Sequence, residues 1–107
     1  MSLSFLSCNS LNTKDVFYVD GRVSGAYTYN DCVEMLGYVK SNNMKGFNEM
    51  YNKGKLISLS DGTQIKIIEI GSSISKVKNI YTNTEFWISN EFISPIDLSK
   101  AKTRNQY

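Results

Sequence analysis

The sequence predicts an α+β domain with an N-terminal strand or hairpin, two short helices, and then a five-stranded antiparallel β-barrel. Three observations lead to this prediction. Apolar residues recur at helical spacing between residues 29 and 53. Between residues 54 and 95 they alternate with polar residues, as in half-buried strands. Short stretches of Gly, Asn, Ser and Thr divide this second region into segments of strand length.

Length and composition indicate one globular domain. The chain has 107 residues, of which 41% are hydrophobic and 21% are charged, which differs from the composition of disordered chains. We expect a flexible lead-in over residues 1–14, one domain over residues 15–95 and a tail over residues 96–107. The net charge of +2 is too small to indicate nucleic-acid binding.

The first structured segment is β-prone. The run from Asp15 to Ser24 is rich in aromatic and β-branched residues and contains the turn dipeptide Asp20-Gly21. This run predicts either a small hairpin or one strand followed by a loop.

A first helix is predicted over residues 29–40. Thr28 is a suitable N-cap, and Asp31 follows it three residues later, as in a capping box. The apolar residues that recur at helical spacing are Cys32, Met35, Leu36 and Val39.

A second helix is predicted over residues 44–52, after a break at residues 41–43 that offers a new N-cap. Gly54 is a natural C-cap because it tolerates positive φ. The apolar face consists of Met44, Phe47, Met50 and Tyr51. We expect the two helices to form a helical hairpin over residues 29–53 that covers an open end or edge of the barrel.

Five strands are predicted for the barrel, over residues 55–59, 64–70, 74–81, 85–88 and 92–93, with a 3₁₀ link at residues 89–91. Ile65, Ile67, Ile70 and Val77 should point inward, with an irregularity at Ile68. Lys76 and Lys78 should point outward, and Pro95 should end the pairing because it lacks an N–H.

This order of elements resembles bacterial Src-homology-3-like (SH3-like) domains. The resemblance is carried by Gly54, Gly62-Thr63, Val77, Trp87, and Glu91 with Phe92-Ile93, and it covers residues 54–95. Similar barrels follow a helical hairpin in small bacterial envelope proteins. The resemblance implies a fold and a binding role. It does not imply proline-rich recognition, because the turn at residues 71–73 lacks the acidic residues such grooves use.

The aromatic residues suggest a binding platform. Phe86 and Trp87 are adjacent on a predicted strand and must face opposite sides of it. If Trp87 is the outer residue, Tyr81 or Tyr29 near it would complete a ligand-binding surface. The other interpretation is that Trp87 packs between the helices and the barrel. The candidate ligand-binding residues are therefore Tyr29, Tyr81, Phe86 and Trp87.

No pattern of catalytic or metal-binding residues occurs. The sequence has no His, which excludes Ser-His and Cys-His nucleophilic arrangements. Two Cys without His partners do not make a zinc site. We therefore predict no enzyme activity, no metal and no cofactor. Cys32 is expected to be a small core residue on the first helix, although a disulfide with Cys8 stays open.

The opening residues resemble the end of a bacterial lipoprotein signal. Small and apolar residues lead into Cys8, which would then be the lipidated cysteine. The basic start and most of the apolar core of such a signal are missing from these residues. Either they are the end of a longer signal or the similarity is chance. The first case predicts the cell envelope or periplasm, and the second predicts the cytoplasm.

Three functions follow from these patterns. The leading hypothesis is a non-enzymatic binding module with a protein or peptide partner in the bacterial envelope, anchored through Cys8. The alternative is a small phage or mobile-element protein that binds and inhibits a host protein. The third is nucleic-acid binding through Lys66, Lys76 and Lys78 on one face, which the near-neutral charge disfavours. The oligomeric state does not follow from the sequence.

Overall fold

The computed structural model describes residues 16–97 and has an α+β architecture, which confirms the predicted class. The strands in chain order are β1 Phe17–Val19, β2 Val23–Ala26, β3 Leu56–Leu59, β4 Gln64–Glu69, β5 Ile74–Asn79, β6 Glu85–Ser89 and β7 Ile93–Ser94. Helices α1 (Tyr29–Lys40) and α2 (Met44–Asn52) lie between β2 and β3 in the chain, and a 3₁₀ helix (Asn90–Phe92) joins β6 to β7. The predicted lead-in, and the tail beyond residue 97, lie outside the described residues.

The strands form one open, seven-stranded antiparallel sheet in the order β3-β2-β6-β5-β4-β1-β7. The predicted five-stranded barrel over residues 54–95 is therefore not confirmed. Of the strands after residue 54, only β4, β5 and β6 are successive neighbours, because β3 pairs with β2 and β7 pairs with β1. The sheet thus contains strands that come before the helices in the chain as well as strands that follow them.

The hairpin that was one of the two alternatives for the run from Asp15 to Ser24 is absent, because β1 and β2 pair with different strands. The reason is that the turns at Asp20-Gly21 and Asp61-Gly62 are joined by hydrogen bonds. The Gly21 N–H donates to Asp61 Oδ1 at 2.7 Å, and the Gly62 N–H donates to the Val19 carbonyl at 2.8 Å. Both glycines have positive φ, 91° and 87°. The chain that leaves β1 is held against the second turn and continues to a different part of the sheet.

The helices begin and end where the sequence predicts. The Thr28 hydroxyl accepts a hydrogen bond from the Asp31 N–H at 3.1 Å, which satisfies one free N–H of the first turn of α1. The Asn43 side chain accepts from the Gly46 N–H at 3.0 Å and caps α2 in the same way. Gly54 has a φ of 78°, as expected for its place after α2.

Buried residues form two clusters, one on each face of the sheet. The inner cluster contains Val19, Leu59, Ile65, Val77, Phe86 and Ile88. The second cluster joins the helices to the other face and contains Ala26, Cys32, Met35, Met50, Leu56 and Ile74. Buried Val77 and outward Lys76 and Lys78 agree with the predicted alternation of β5.

Some residues predicted to be buried are exposed. Val39 and Met44 are each 52% exposed, Tyr51 is 49% exposed and Ile70 is 70% exposed. The helices bury only a narrow strip of their apolar faces, centred on Met35 and Met50. Ile70 follows a register shift between Ile67 and Glu69, which confirms the predicted irregularity of β4 but turns Ile70 outward.

Gly25 allows β2 to approach β6 closely. A Cβ at this position would lie 2.8 Å from Ile88 Cγ2 and 2.9 Å from the Trp87 carbonyl oxygen. A larger residue would therefore push β2 away from β6. Because α1 follows β2 directly, this close approach also sets how near α1 lies to Trp87.

Candidate binding surface

Phe86 and Trp87 lie on opposite faces of β6, as alternation along a strand requires. Phe86 is completely buried in the inner cluster. It therefore offers no surface to a ligand, although it was a candidate ligand-binding residue. Trp87 is partly buried and packs against the cluster beneath the helices. Trp87 thus lies on the face of the sheet that carries the helices, where it is partly packed and partly accessible.

Tyr29 lies edge-on against Trp87. Their ring centroids are 5.3 Å apart and the ring planes make an angle of 80°. Tyr29 is the first residue of α1 and follows its N-cap, Thr28, directly. Ala26, the last residue of β2, precedes this cap by two residues and is paired with Trp87. The side chain of Tyr29 is 49% exposed, so one large ring is both fixed by a contact and open to solvent.

Lys76 completes this arrangement from the neighbouring strand. It is the register partner of Trp87 on β5, and its Nζ lies 5.9 Å from the Trp87 ring centroid. At this distance the ammonium group and the ring attract each other. The same Nζ lies 3.3 Å from Glu85 Oε1, so the cation is also held by an ion pair.

Two more lysines share this face of the sheet. Lys78 lies two residues after Lys76 on β5, and Lys66 is the register partner of Lys78 on β4. We call this surface the Trp87 face. It consists of Tyr29, Lys66, Lys76, Lys78, Glu85 and Trp87. The sequence suggested that the three lysines share one face, but it could not show that Trp87 and Tyr29 lie beside them.

Tyr81, the fourth candidate, is not part of the Trp87 face. It is 74% exposed in the turn between β5 and β6, where its N–H donates to Asn79 Oδ1 at 2.8 Å. Within residues 16–97 the described ring contact of Trp87 is with Tyr29. The structure therefore brings together two of the four candidates.

A groove of about 1380 Å³ lies beside the Trp87 face, between the helices and the sheet. Its helical wall is apolar and includes Val33, Val39 and Met44. Its opposite wall is mixed: it contains serines such as Ser58 and Ser72, the charged Arg22 and Glu91, and apolar residues. Tyr29 lines this groove as well and so belongs to both surfaces. The sequence did not predict the groove, because it assigned the helical residues to the core.

The nucleophilic side chains that are buried have structural partners. Burial raises the pKa of the Cys32 thiol to about 11, and its Sγ donates to the Trp87 carbonyl at 3.5 Å. The buried Ser75 hydroxyl lies 2.6 Å from Asn90 Oδ1 and accepts from the Gly71 N–H. Within residues 16–97 there is no group of three or more side chains that could hold a metal ion.

The described helices are also too short and too polar to cross a membrane. Cys8, the predicted lipidation site, lies outside the described residues. Comparison of the chain with models of known protein families, with curated proteins and with solved structures finds no match.

Proposed function

We propose that this chain is a non-enzymatic binding module and that a protein or cell-envelope partner docks on its Trp87 face. The observation that carries the proposal is the half-exposed Tyr29 ring held edge-on against Trp87, with Lys76 Nζ 5.9 Å from the centroid of the indole. Tyrosine and tryptophan are enriched in protein interfaces because they bury a large area while losing little side-chain entropy. A ring already fixed by its neighbour loses still less.

The chemistry of the side chains supports a role without catalysis. The sequence contains no His to act as a general base. The raised pKa of the Cys32 thiol, about 11, and its burial make it a poor nucleophile. The Ser75 hydroxyl is held by Asn90 and Gly71, neither of which can take its proton.

The resemblance to bacterial SH3-like domains is part of this proposal. Its support is the meander β4-β5-β6, the Trp87 strand followed by the 3₁₀ helix, and the final strand β7 next to β1. Such domains are binding modules, which agrees with a partner on the Trp87 face.

An envelope location depends on Cys8 and has its own test. The complete gene is expressed in a bacterium supplied with labelled palmitate. We expect label on the wild-type protein and none on a Cys8→Ser variant. An unlabelled wild-type protein would remove the envelope from the proposal and leave the binding module.

The binding role is tested with a matched pair of variants. Tyr29 and Tyr51 are each 49% exposed on the helices, but only Tyr29 contacts Trp87. Affinity capture from a lysate of the source cells, quantified by mass spectrometry, compares wild type, Tyr29→Ala and Tyr51→Ala. Truncation of an aromatic anchor costs at least about 2 kcal/mol, or roughly 30-fold in affinity.

We therefore expect one captured protein to be lost with Tyr29→Ala and kept with Tyr51→Ala. Circular dichroism of both variants checks that the fold is intact. Equal capture by all three proteins would contradict a partner on the Trp87 face.

A further inference from the structure

Two lysines on the Trp87 face lie directly opposite each other. Lys66 on β4 and Lys78 on β5 are register partners, and both are partly buried. Like charges at directly opposed positions of an antiparallel pair destabilise a sheet. By this rule a neutral residue at either position would stabilise the pairing of β4 and β5. The stability of the fold therefore does not explain why both positions are lysine.

The nearby carboxylates of the described residues form no ion pair with either opposed lysine. Glu85 is the register partner of Lys78, but its Oε1 lies against Lys76 Nζ at 3.3 Å. Glu69 is the register partner of Lys76 and not of either opposed lysine. Two other lysines of the described residues do form ion pairs, Lys76 with Glu85 and Lys55 with Asp31. Lys66 and Lys78 thus take no part in an ion pair of the described structure.

We propose that the partner of the Trp87 face is an acidic protein segment, with a carboxylate between Lys66 and Lys78 and an apolar side chain against Tyr29 and Trp87. This inference rests on the proposed function and adds the chemistry of the partner. The carboxylate would turn a like-charge contact into two ion pairs. Along β5, Lys78 is two residues from Lys76, which is the register partner of Trp87. By sheet geometry the two subsites are therefore about 10 Å apart. An extended peptide spans that distance with about three residues.

A protein segment fits this face better than a nucleic acid does. Glu85 lies on the face, and Glu69 is the register partner of Lys76 on the neighbouring strand. A continuous row of phosphates would be brought close to these carboxylates. A peptide can place single carboxylates at the lysines and apolar side chains elsewhere. The whole-chain charge of +2 is likewise small for a nucleic-acid-binding domain.

The test uses Trp87 as its reporter, since it is the single tryptophan of the sequence. The probe is a glycine-serine peptide that carries one glutamate and one phenylalanine three residues apart, titrated into the full chain at low ionic strength while Trp87 fluorescence is followed. We expect saturable binding that weakens at least threefold as salt is raised from about 0.05 to 0.5 M, because exposed ion pairs are screened. The Lys66→Gln/Lys78→Gln double variant should bind at least tenfold more weakly.

The matched control is Lys45→Gln/Lys53→Gln, which removes the same charge from exposed lysines at the two ends of α2. This control should bind within twofold of wild type. Equal weakening in both double variants would overturn the inference, because the peptide would then respond only to net charge. A thymidine dodecamer that binds more tightly than the peptide would overturn it in favour of nucleic acid, and absence of any saturable fluorescence change would overturn it outright.

Thermal unfolding gives a second reading of the same variants. Removal of opposed charges should leave the midpoint of Lys66→Gln/Lys78→Gln equal to or above that of wild type. A lower midpoint would assign the two lysines a structural role and overturn the inference. The capture experiment with Tyr29→Ala is independent of these measurements. If the peptide titration overturns the acidic partner, the capture experiment can still support a partner on the Trp87 face.

Discussion

Cys32 connects α1 to the sheet through a buried thiol. Its side chain has no exposed surface, and its S–H donates to the carbonyl of Trp87. Burial disfavours the thiolate and raises the pKa of the Cys32 thiol in the folded state to about 11, from 9.0 for an unperturbed thiol. The thiol therefore stabilises the fold only while it keeps its proton.

The pH dependence of this contribution has a defined sign. Because the folded pKa lies above the unfolded one, the contribution is complete below pH 9 and is lost as the pH rises through about 11. We expect the difference in unfolding free energy between wild type and Cys32→Ala to be constant from pH 7 to pH 8 and to shrink above pH 9. Urea denaturation at each pH, with Cys8→Ser in both proteins, measures this difference. A difference that grew with pH would contradict a protonated, buried Cys32.

At the scale of single residues, the sequence predicted the sheet better than the helices. Two-residue alternation placed Val77 inside and Lys78 outside, because a strand has only two faces. A helix surface has no such division, so the apolar Val39 and Met44 were assigned to the core although each is 52% exposed. Which part of an apolar helical face is buried depends on where the sheet lies.

The position of α1 decides whether Tyr29 reaches Trp87, and its N-cap holds that position. The Thr28 hydroxyl accepts from the Asp31 N–H at 3.1 Å, next to Tyr29. We expect Thr28→Ala to lower the unfolding free energy by about 1 kcal/mol and Thr28→Ser to retain most of it. Chemical denaturation measures both variants. Equal stability of the alanine and serine variants would show that this cap does not hold α1.

At the scale of elements, boundaries were predictable and partners were not. The bounds of α1 and α2 were predicted from local capping residues, and local turns marked the strand ends to within one or two residues. Pairing depends on contacts between residues far apart in sequence. The hydrogen bond from Gly21 to Asp61 spans 40 positions and diverts β2 from β1, and no local pattern encodes it. The Trp87 face has the same origin, since it needs β2, β6, β5 and β4 side by side.

The order of the strands makes the sheet depend on both halves of the chain. β1 lies between β4 and β7, and β2 lies between β3 and β6. Without residues 16–26, β3 and β7 would each lose the strand with which they pair. The inner cluster would lose Val19, which is 1% exposed, and the cluster beneath the helices would lose Ala26, which is fully buried.

A fragment of residues 54–97 should therefore not fold by itself, although two-residue alternation alone predicts that it would. It keeps the meander β4-β5-β6 but exposes the buried Ile65 and Phe86. A three-stranded sheet without its second layer buries too little apolar surface to offset the entropy of ordering it. We expect the fragment to show no cooperative thermal transition and poor amide dispersion in NMR spectra, while a chain of residues 16–97 shows both a transition and dispersed amides. A cooperative transition in the shorter fragment would mean that the strands after residue 54 can pair in the absence of β1 and β2, and the seven-stranded order would then not be what stabilises the fold.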